Sequence, residues 1–203
     1  MKTKNFQKLP GKFYQRDALY IAEKLLGKYL VRRENQKYLA GKIVEVEAYT
    51  EVGDEASHSF NGKTKRNELM FASGGKLYVY FIYGNHFCCN VVCDKEGIGS
   101  AVLIRALEPV EGIELMAQRR FHKSEVTKKE FLNLTNGPGK ICKAFNISKL
   151  ENGIDLCGDE LFIAEGEKVP KKNIVRTSRI GIKKSKDLPW RFYIKDNPFV
   201  SKR

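Results

Sequence analysis

The sequence predicts an α+β domain built on a largely antiparallel sheet, and three observations carry that expectation. Helical spacing of apolar residues is confined to a few short stretches. Alternation with a period of two recurs elsewhere, and no composition break marks a linker. A chain of 203 residues is long enough to bury a substantial core as one unit, so 1–203 reads as a single domain.

The first helix lies in QRDALYIAEKLLGK, where Ala18, Leu19, Ala22, Leu25 and Leu26 recur at helical spacing. Asp17 suits its N-cap and Gly27 the C′ position that ends it. The stretch YLVRRENQKYLAGKIVEVEAYT alternates about Glu34-Asn35-Gln36-Lys37 and reads as a hairpin whose second strand reaches about Tyr49. Residues 50–66 are rich in Gly, Asp, Ser, Asn and charge and read as a loop. LYVYFIYGNHFCCNVVC is two apolar, aromatic runs hinged on Gly84-Asn85, a second hairpin. SAVLIRALEP is a further strand and VEGIELMAQRRF starts a helix. His122 to Glu130 is a polar, basic connection, and TNGPGKICKAFNI supplies a turn and a short helix opening at Ile141. DELFIAEG, VRTSRIGI and WRFYIKD read as short strands in long loops.

Charge narrows the function classes. Thirty-seven Lys and Arg against 24 Asp and Glu leave a net charge of +13, a field that attracts polyanions before any specific contact forms. Nucleic acid is the first partner to expect. No apolar run approaches the roughly 20 residues of a spanning helix, and the basic start MKTKNFQKLPGK lacks the apolar centre of a signal peptide, so a cytoplasmic, nucleoid-associated protein is expected. The five cysteines are odd in number and include the adjacent pair Cys88-Cys89, which suits reduced thiols. No C-x2-C pair is present, so His86 with Cys89 and Cys93 is not read as a metal site.

Alternation in IVEVEAYT sets Val44, Val46 and Ala48 on one face and Glu45, Glu47 and Tyr49 on the other. Spacing alone favours a strand with a wet outer face. His58, one of three histidines, follows in GDEASHSFNGKTKRN, and carboxylate, phenol and imidazole within a dozen residues are the parts of an acid-base pocket. Tyr78 and Tyr80 share a face and Tyr83 stands beside the turn. Core packing is the ordinary fate of such rings, but one at a hairpin tip on a cationic scaffold can stack on bases or wedge between them. In NGPGK, Lys140 and nearby backbone amides form either a phosphate seat or a plain turn and cap.

Taken together, IVEVEAY, DEASHS, LYVYFIYG, CCNVV and VLIRALEP, followed by NGPGKICKAF and WRFYIKDNPFVS, resemble the ordered motifs of the alkyladenine (3-methyladenine) DNA glycosylase family over nearly the whole chain. The resemblance implies a curved sheet with surrounding helices and a protruding β-hairpin that inserts into DNA. It implies a monomeric, monofunctional enzyme of base-excision repair that needs no cofactor or metal. Its partner is double-stranded DNA containing damaged purines, alkylated or deaminated, which it flips out before hydrolysing the N-glycosidic bond. Glu47 matches the general base that activates water, and Arg105 a residue that positions the water and the sugar phosphate. Tyr49, His58 and Tyr80 match residues around the flipped base, and Asn90 one at the pocket floor. Tyr83 matches the side chain that fills the gap left in the duplex. Asn85, with Lys140, is assigned to DNA contact. The tip departs from the family pattern, since Asn85-His86 stands where mammalian members carry bulkier apolar residues.

Two rival readings remain. GPGKICKA roughly imitates the turn of a helix-hairpin-helix glycosylase/lyase, with Asp155 or Asp159 downstream, but that leaves the EAY and tyrosine blocks unexplained. A non-catalytic basic nucleic-acid-binding protein would need only the charge and exposed aromatics.

Overall fold

The computed structural model describes residues 6–201. The basic start of the chain, read above for targeting, lies partly outside these residues. Eight strands make one antiparallel sheet: β1 (Tyr29–Glu34), β2 (Lys37–Tyr49), β3 (Leu77–Ile82), β4 (His86–Val92), β5 (Ala101–Glu111), β6 (Leu161–Ala164), β7 (Ile174–Thr177) and β8 (Arg191–Ile194). Their order is β3-β4-β5-β2-β1-β6, with β8 pairing both β2 and β7. The expected α+β architecture is therefore present, the curled sheet being joined by helices α1 (Ala18–Leu25), α2 (Ile113–Phe121), α3 (Lys128–Leu132) and α4 (Pro138–Ala144).

Local chemistry explains the first elements. The Asp17 side chain accepts from the Tyr20 amide at 2.9 Å and caps α1. Gly27 ends it at φ 84°, where a Cβ would lie 2.2 Å from the Glu167 carbonyl. The β1–β2 hairpin turns at Asn35 and Gln36, both at positive φ, the backbone of a two-residue type I′ turn. Ile21, Leu25, Ile43, Val46, Ile104, Leu107, Ile141 and Phe145 share the main core between the sheet and α1, α2 and α4.

The connection expected from His122 to Glu130 stops at Thr127, which caps α3 by bonding the Glu130 amide, and three further expectations need correction. Helix α4 opens at Pro138, three residues before Ile141, because proline at the first turn forfeits only an amide that no helix would satisfy. The strand expected across VRTSRIGI ends at Thr177, and Arg179 to Ile182 form irregular backbone. The third correction shapes the site: β2 does not alternate uninterrupted. Ile43 pairs with Leu107 and Glu45 with Ala106, which leaves Val44 unopposed, and Val46 then pairs with Ile104, which leaves Arg105 unopposed. One bulge in each strand restores the register. Val44 consequently packs with Ala106 and Phe199, while Val46 and Ala48 face the main core. At the same place β2 exchanges β1, which pairs with Lys37 to Lys42, for β8, which pairs with Glu45 to Glu47.

Among the described residues no helix is long and apolar enough to cross a membrane. The five cysteines are free thiols, four of them buried and Cys157 half-buried. No group of three or more His, Cys, Asp or Glu side chains is placed to hold a metal ion among the described residues.

Candidate active site

The face of β2 carrying Glu45 and Glu47 is not wet: both carboxylates are 0 % exposed. Sequence spacing could not see this, because the groups that cover them come from β5, β8 and the chain's C-terminal stretch. Glu45 receives four donors, Arg105 Nε at 3.3 Å, Arg191 Nε at 2.7 Å, Ser201 Oγ at 2.9 Å and the Ser201 amide at 2.6 Å. Glu47 receives three: Tyr49 hydroxyl at 2.9 Å, Arg105 Nη1 at 3.2 Å and the Ile180 amide at 2.7 Å. A carboxylate offers about four lone-pair sites. Glu45 takes three of its donors at Oε1 and the Ser201 amide at Oε2, whereas Glu47 takes Tyr49 and Arg105 at Oε2 and only the Ile180 amide at Oε1, which keeps an acceptor position.

In front of Glu47 lies a cavity of about 190 Å³, whose wall includes Tyr49, Arg105 and Ile180, the three residues that bond Glu47. That is smaller than the roughly 300–1,000 Å³ of sites for drug-sized ligands and suits a single flat heterocycle. Tyr49 forms one side. Tyr80 and His58 form another, their rings 4.5 Å apart in an edge arrangement, with Tyr78 5.6 Å from Tyr80. Met70, Cys88, Asn90 and Leu103 line the cavity too.

Electrostatics follows from burial. Desolvation holds the Tyr49 phenol well above its ordinary pKa, and the Glu47 charge adds to it. Burial likewise raises Tyr80, helped by Cys88, whose own thiol burial pushes up to about 11. Both phenols and the thiol are therefore neutral near pH 7. Burial works against the Arg105 charge, but the Glu47 and Glu45 carboxylates outweigh it and raise the guanidinium. His58 is held below its ordinary value by desolvation and by Arg66, and its Nδ1 lies 3.1 Å from the Tyr78 hydroxyl.

Most sequence-expected residues converge here: Tyr49, His58, Tyr80, Asn90 and Arg105 line the cavity, with Glu47 behind them. Asn90 is anchored by donating to the Tyr78 carbonyl at 3.1 Å. Tyr83 lies at the rim, 77 % exposed and at φ 55°, with Gly84 at φ 71°, so the β3–β4 turn presents a bulky ring from a backbone conformation such a residue rarely adopts. Asn85 is exposed on the same turn. Lys140 is half-buried in α4, its amine donating to Asn136 Oδ1 at 2.6 Å and Asn133 Oδ1 at 3.2 Å. Sequence reasoning missed Arg179, Asp54 and Ile180. Arg179 is buried, forks onto Asp54 with two bonds of 2.6 Å, and lies 4.5 Å from the centre of the Tyr49 ring. Nothing in their spacing marked them, since the contact joins positions 125 residues apart.

Comparison with known proteins then decides the family. The model of methylpurine-DNA glycosylase (MPG) matches residues 12–198. The chain belongs to the methylpurine-DNA glycosylase family. A relative from Alkaliphilus oremlandii is 51 % identical over 202 residues, covering 97 % of this chain and 100 % of its own. One from Clostridium acetobutylicum is 50 % identical over 200 residues, covering 96 % and 97 %. Both carry the provisional name 3-methyladenine DNA glycosylase. This methylpurine-DNA glycosylase is thus a DNA-repair enzyme acting on damaged bases in DNA, and neither the helix-hairpin-helix nor the non-catalytic reading stands.

Proposed function

We propose that this glycosylase flips an alkylated or deaminated purine nucleotide, of the 3-methyladenine, 7-methylguanine, hypoxanthine and ethenoadenine class, out of duplex DNA and hydrolyses its N-glycosidic bond with water activated by Glu47. The observation that carries the reading is that all three residues bonded to the buried Glu47 carboxylate, Tyr49, Arg105 and Ile180, line one cavity the size of a single heterocycle. Tyr49 on one side and Tyr80 with His58 on the other grip the base by its faces, and neutral phenols suit a cationic alkylated purine. Glu47 accepts the proton of the attacking water and its charge stabilises the oxocarbenium-like sugar. Arg105, bonded to Glu47, orients water and sugar phosphate. Asn90, rigid at the floor, screens the purine edge. Tyr83 fills the vacated stack, and Asn85 and the remaining amine proton of Lys140 meet the backbone. The enzyme works as a monomer on DNA in the cytoplasm.

The test is release of free base from duplexes each carrying one such lesion. The expected product is an abasic strand that breaks only on alkali treatment, with no adduct trapped by borohydride. A trapped adduct would replace the water mechanism with an amine nucleophile.

A further inference from the structure

We propose that Arg179 is a positioning residue for base excision, holding the stacking face of Tyr49 and the Ile180 amide on Glu47 through its pairing with Asp54. The proposal rests on the reading of Glu47 and Tyr49 given above, and it adds a residue that touches neither base nor sugar.

Three walls of the cavity come from separate parts of the chain: the end of β2 with Tyr49, the loop carrying Ala56 and His58, and the segment from Ile180 to Ile182. One guanidinium joins them. Arg179 donates Nη1 to the Ala48 carbonyl at 2.9 Å and to Asp54 Oδ2 at 2.6 Å, and Nη2 to Asp54 Oδ1 at 2.6 Å. Asp54 in turn accepts from the Thr50 amide at 3.3 Å and the Ala56 amide at 3.2 Å, which shapes the loop leading to His58. Both side chains are 0 % exposed. The guanidinium also lies between two rings, with Tyr49 centred at 4.5 Å and Trp190 at 5.3 Å. The back of Tyr49 is therefore occupied, and the ring can offer a base only its cavity face. The next residue, Ile180, donates its amide to Glu47 at 2.7 Å, so the backbone that Arg179 pins is the backbone that orients the carboxylate.

An arrangement selected for stability alone would not need this cation. A buried ion pair is often replaceable by apolar side chains without loss of stability, and here Arg179 Nε is buried with no partner among the described residues. Positioning explains both features. Only a flat fork can bond a carboxylate in two places and lie against two aromatic rings, and lysine lacks that geometry.

The experiment compares Arg179→Lys and Asp54→Asn with the unaltered enzyme on methylated duplex DNA, with Glu47→Gln alongside. Single-turnover base release, affinity for undamaged duplex, thermal unfolding and Trp190 emission are measured, Trp190 being the only tryptophan. Arg179→Lys should lower single-turnover release at saturating enzyme by about tenfold or more, about 1.4 kcal/mol of barrier. Affinity for undamaged duplex should stay within about twofold, and Trp190 emission should change as its stacking partner leaves. Normal release by both variants, well below their unfolding transitions, overturns the proposal and leaves Arg179 structural. So does unfolding of both at the assay temperature. Normal release by Glu47→Gln instead sinks the underlying assignment of the base, whatever Arg179 does.

Discussion

Glu45 and Glu47 share one cation: Arg105 donates Nε to Glu45 at 3.3 Å and Nη1 to Glu47 at 3.2 Å. Alternation along β5 sets Arg105 on the face of Leu103, which pairs with Glu47, and the bulge leaves Arg105 unopposed between the partners of Glu45 and Val46 at the point where β2 changes neighbours. Two residues of one type, two positions apart, thereby acquire different work. Glu45 ties Arg105, Arg191 and Ser201 together, whereas the three groups bonded to Glu47 belong to residues that line the cavity.

The first prediction separates the two carboxylates. Glu47→Gln keeps volume and removes the proton acceptor, so excision should fall by about a hundredfold or more while lesion binding persists. Glu45→Gln should act on stability, because it weakens the shared counter-charge of Arg105 and Arg191. Removing one partner of a buried pair costs about 3–5 kcal/mol, and a substantial part of that should appear in thermal unfolding. Excision by the Glu45 variant should recover when the assay is cooled below its transition. The reverse pattern would exchange the two roles.

How far the site was legible follows from the range of its contacts. Helix α1 and the β1–β2 hairpin were readable because Asp17, Gly27, Asn35 and Gln36 act within a few residues of themselves. Tyr49, His58, Tyr80, Asn90 and Arg105 were readable as a set only through their motifs, and the structure gathers them at one cavity. Burial of Glu45 and Glu47 was not readable, since spacing on a strand cannot report covering groups 58 to 156 residues away. The bulges escaped for a related reason: they are properties of the β2–β5 pairing, and alternation within IVEVEAYT looks unbroken until Arg105 is set beside it. Arg179 and Ile180 were read as part of a strand across VRTSRIGI, but they lie beyond its end at Thr177 and act on Asp54 and Glu47, 125 and 133 residues away.

Tyr83 should show stability and activity moving in opposite directions. Its φ of 55° disfavours a bulky side chain, and asparagine tolerates that region better. Tyr83→Asn should therefore raise stability by up to about 1 kcal/mol, since the exposed ring has little burial to lose. Excision from duplex DNA should fall by about tenfold, a barrier change of roughly 1.4 kcal/mol, with a smaller loss on single strands where no stack needs filling. Equal losses on both substrates would place the ring in the base pocket.

DNA affinity should depend steeply on salt and little on sequence. The net charge of +13 favours contacts to the phosphate backbone, which carry no sequence information, over base-edge readout. Titration from low to moderate salt should give a log–log slope of about −3 or steeper, at roughly −0.9 for each phosphate neutralised. A slope near zero would place the excess charge away from the DNA.

His58 supplies a pH dependence with a defined sign. Desolvation and the Arg66 charge lower its pKa below the ordinary 6.5, so the folded protein binds this proton less readily than the unfolded chain. Its contribution to stability is therefore fully present above about pH 6.5 and declines as acidification proceeds toward the lower folded-state value. Binding should follow the same direction for a physical reason of its own. A protonated imidazole beside Tyr80 puts a positive charge in the wall that receives the base, which opposes a cationic purine such as 7-methylguanine far more than a neutral one such as hypoxanthine. Affinities for the two lesions, measured with Glu47→Gln so that neither is consumed, should diverge as the pH falls below about 6.5, with the cationic lesion losing more. Adding His58→Asn, which keeps a short amide near the Tyr78 hydroxyl, should remove most of the divergence. Divergence that persists unchanged in that variant would assign the titration to another group and leave His58 a neutral part of the wall.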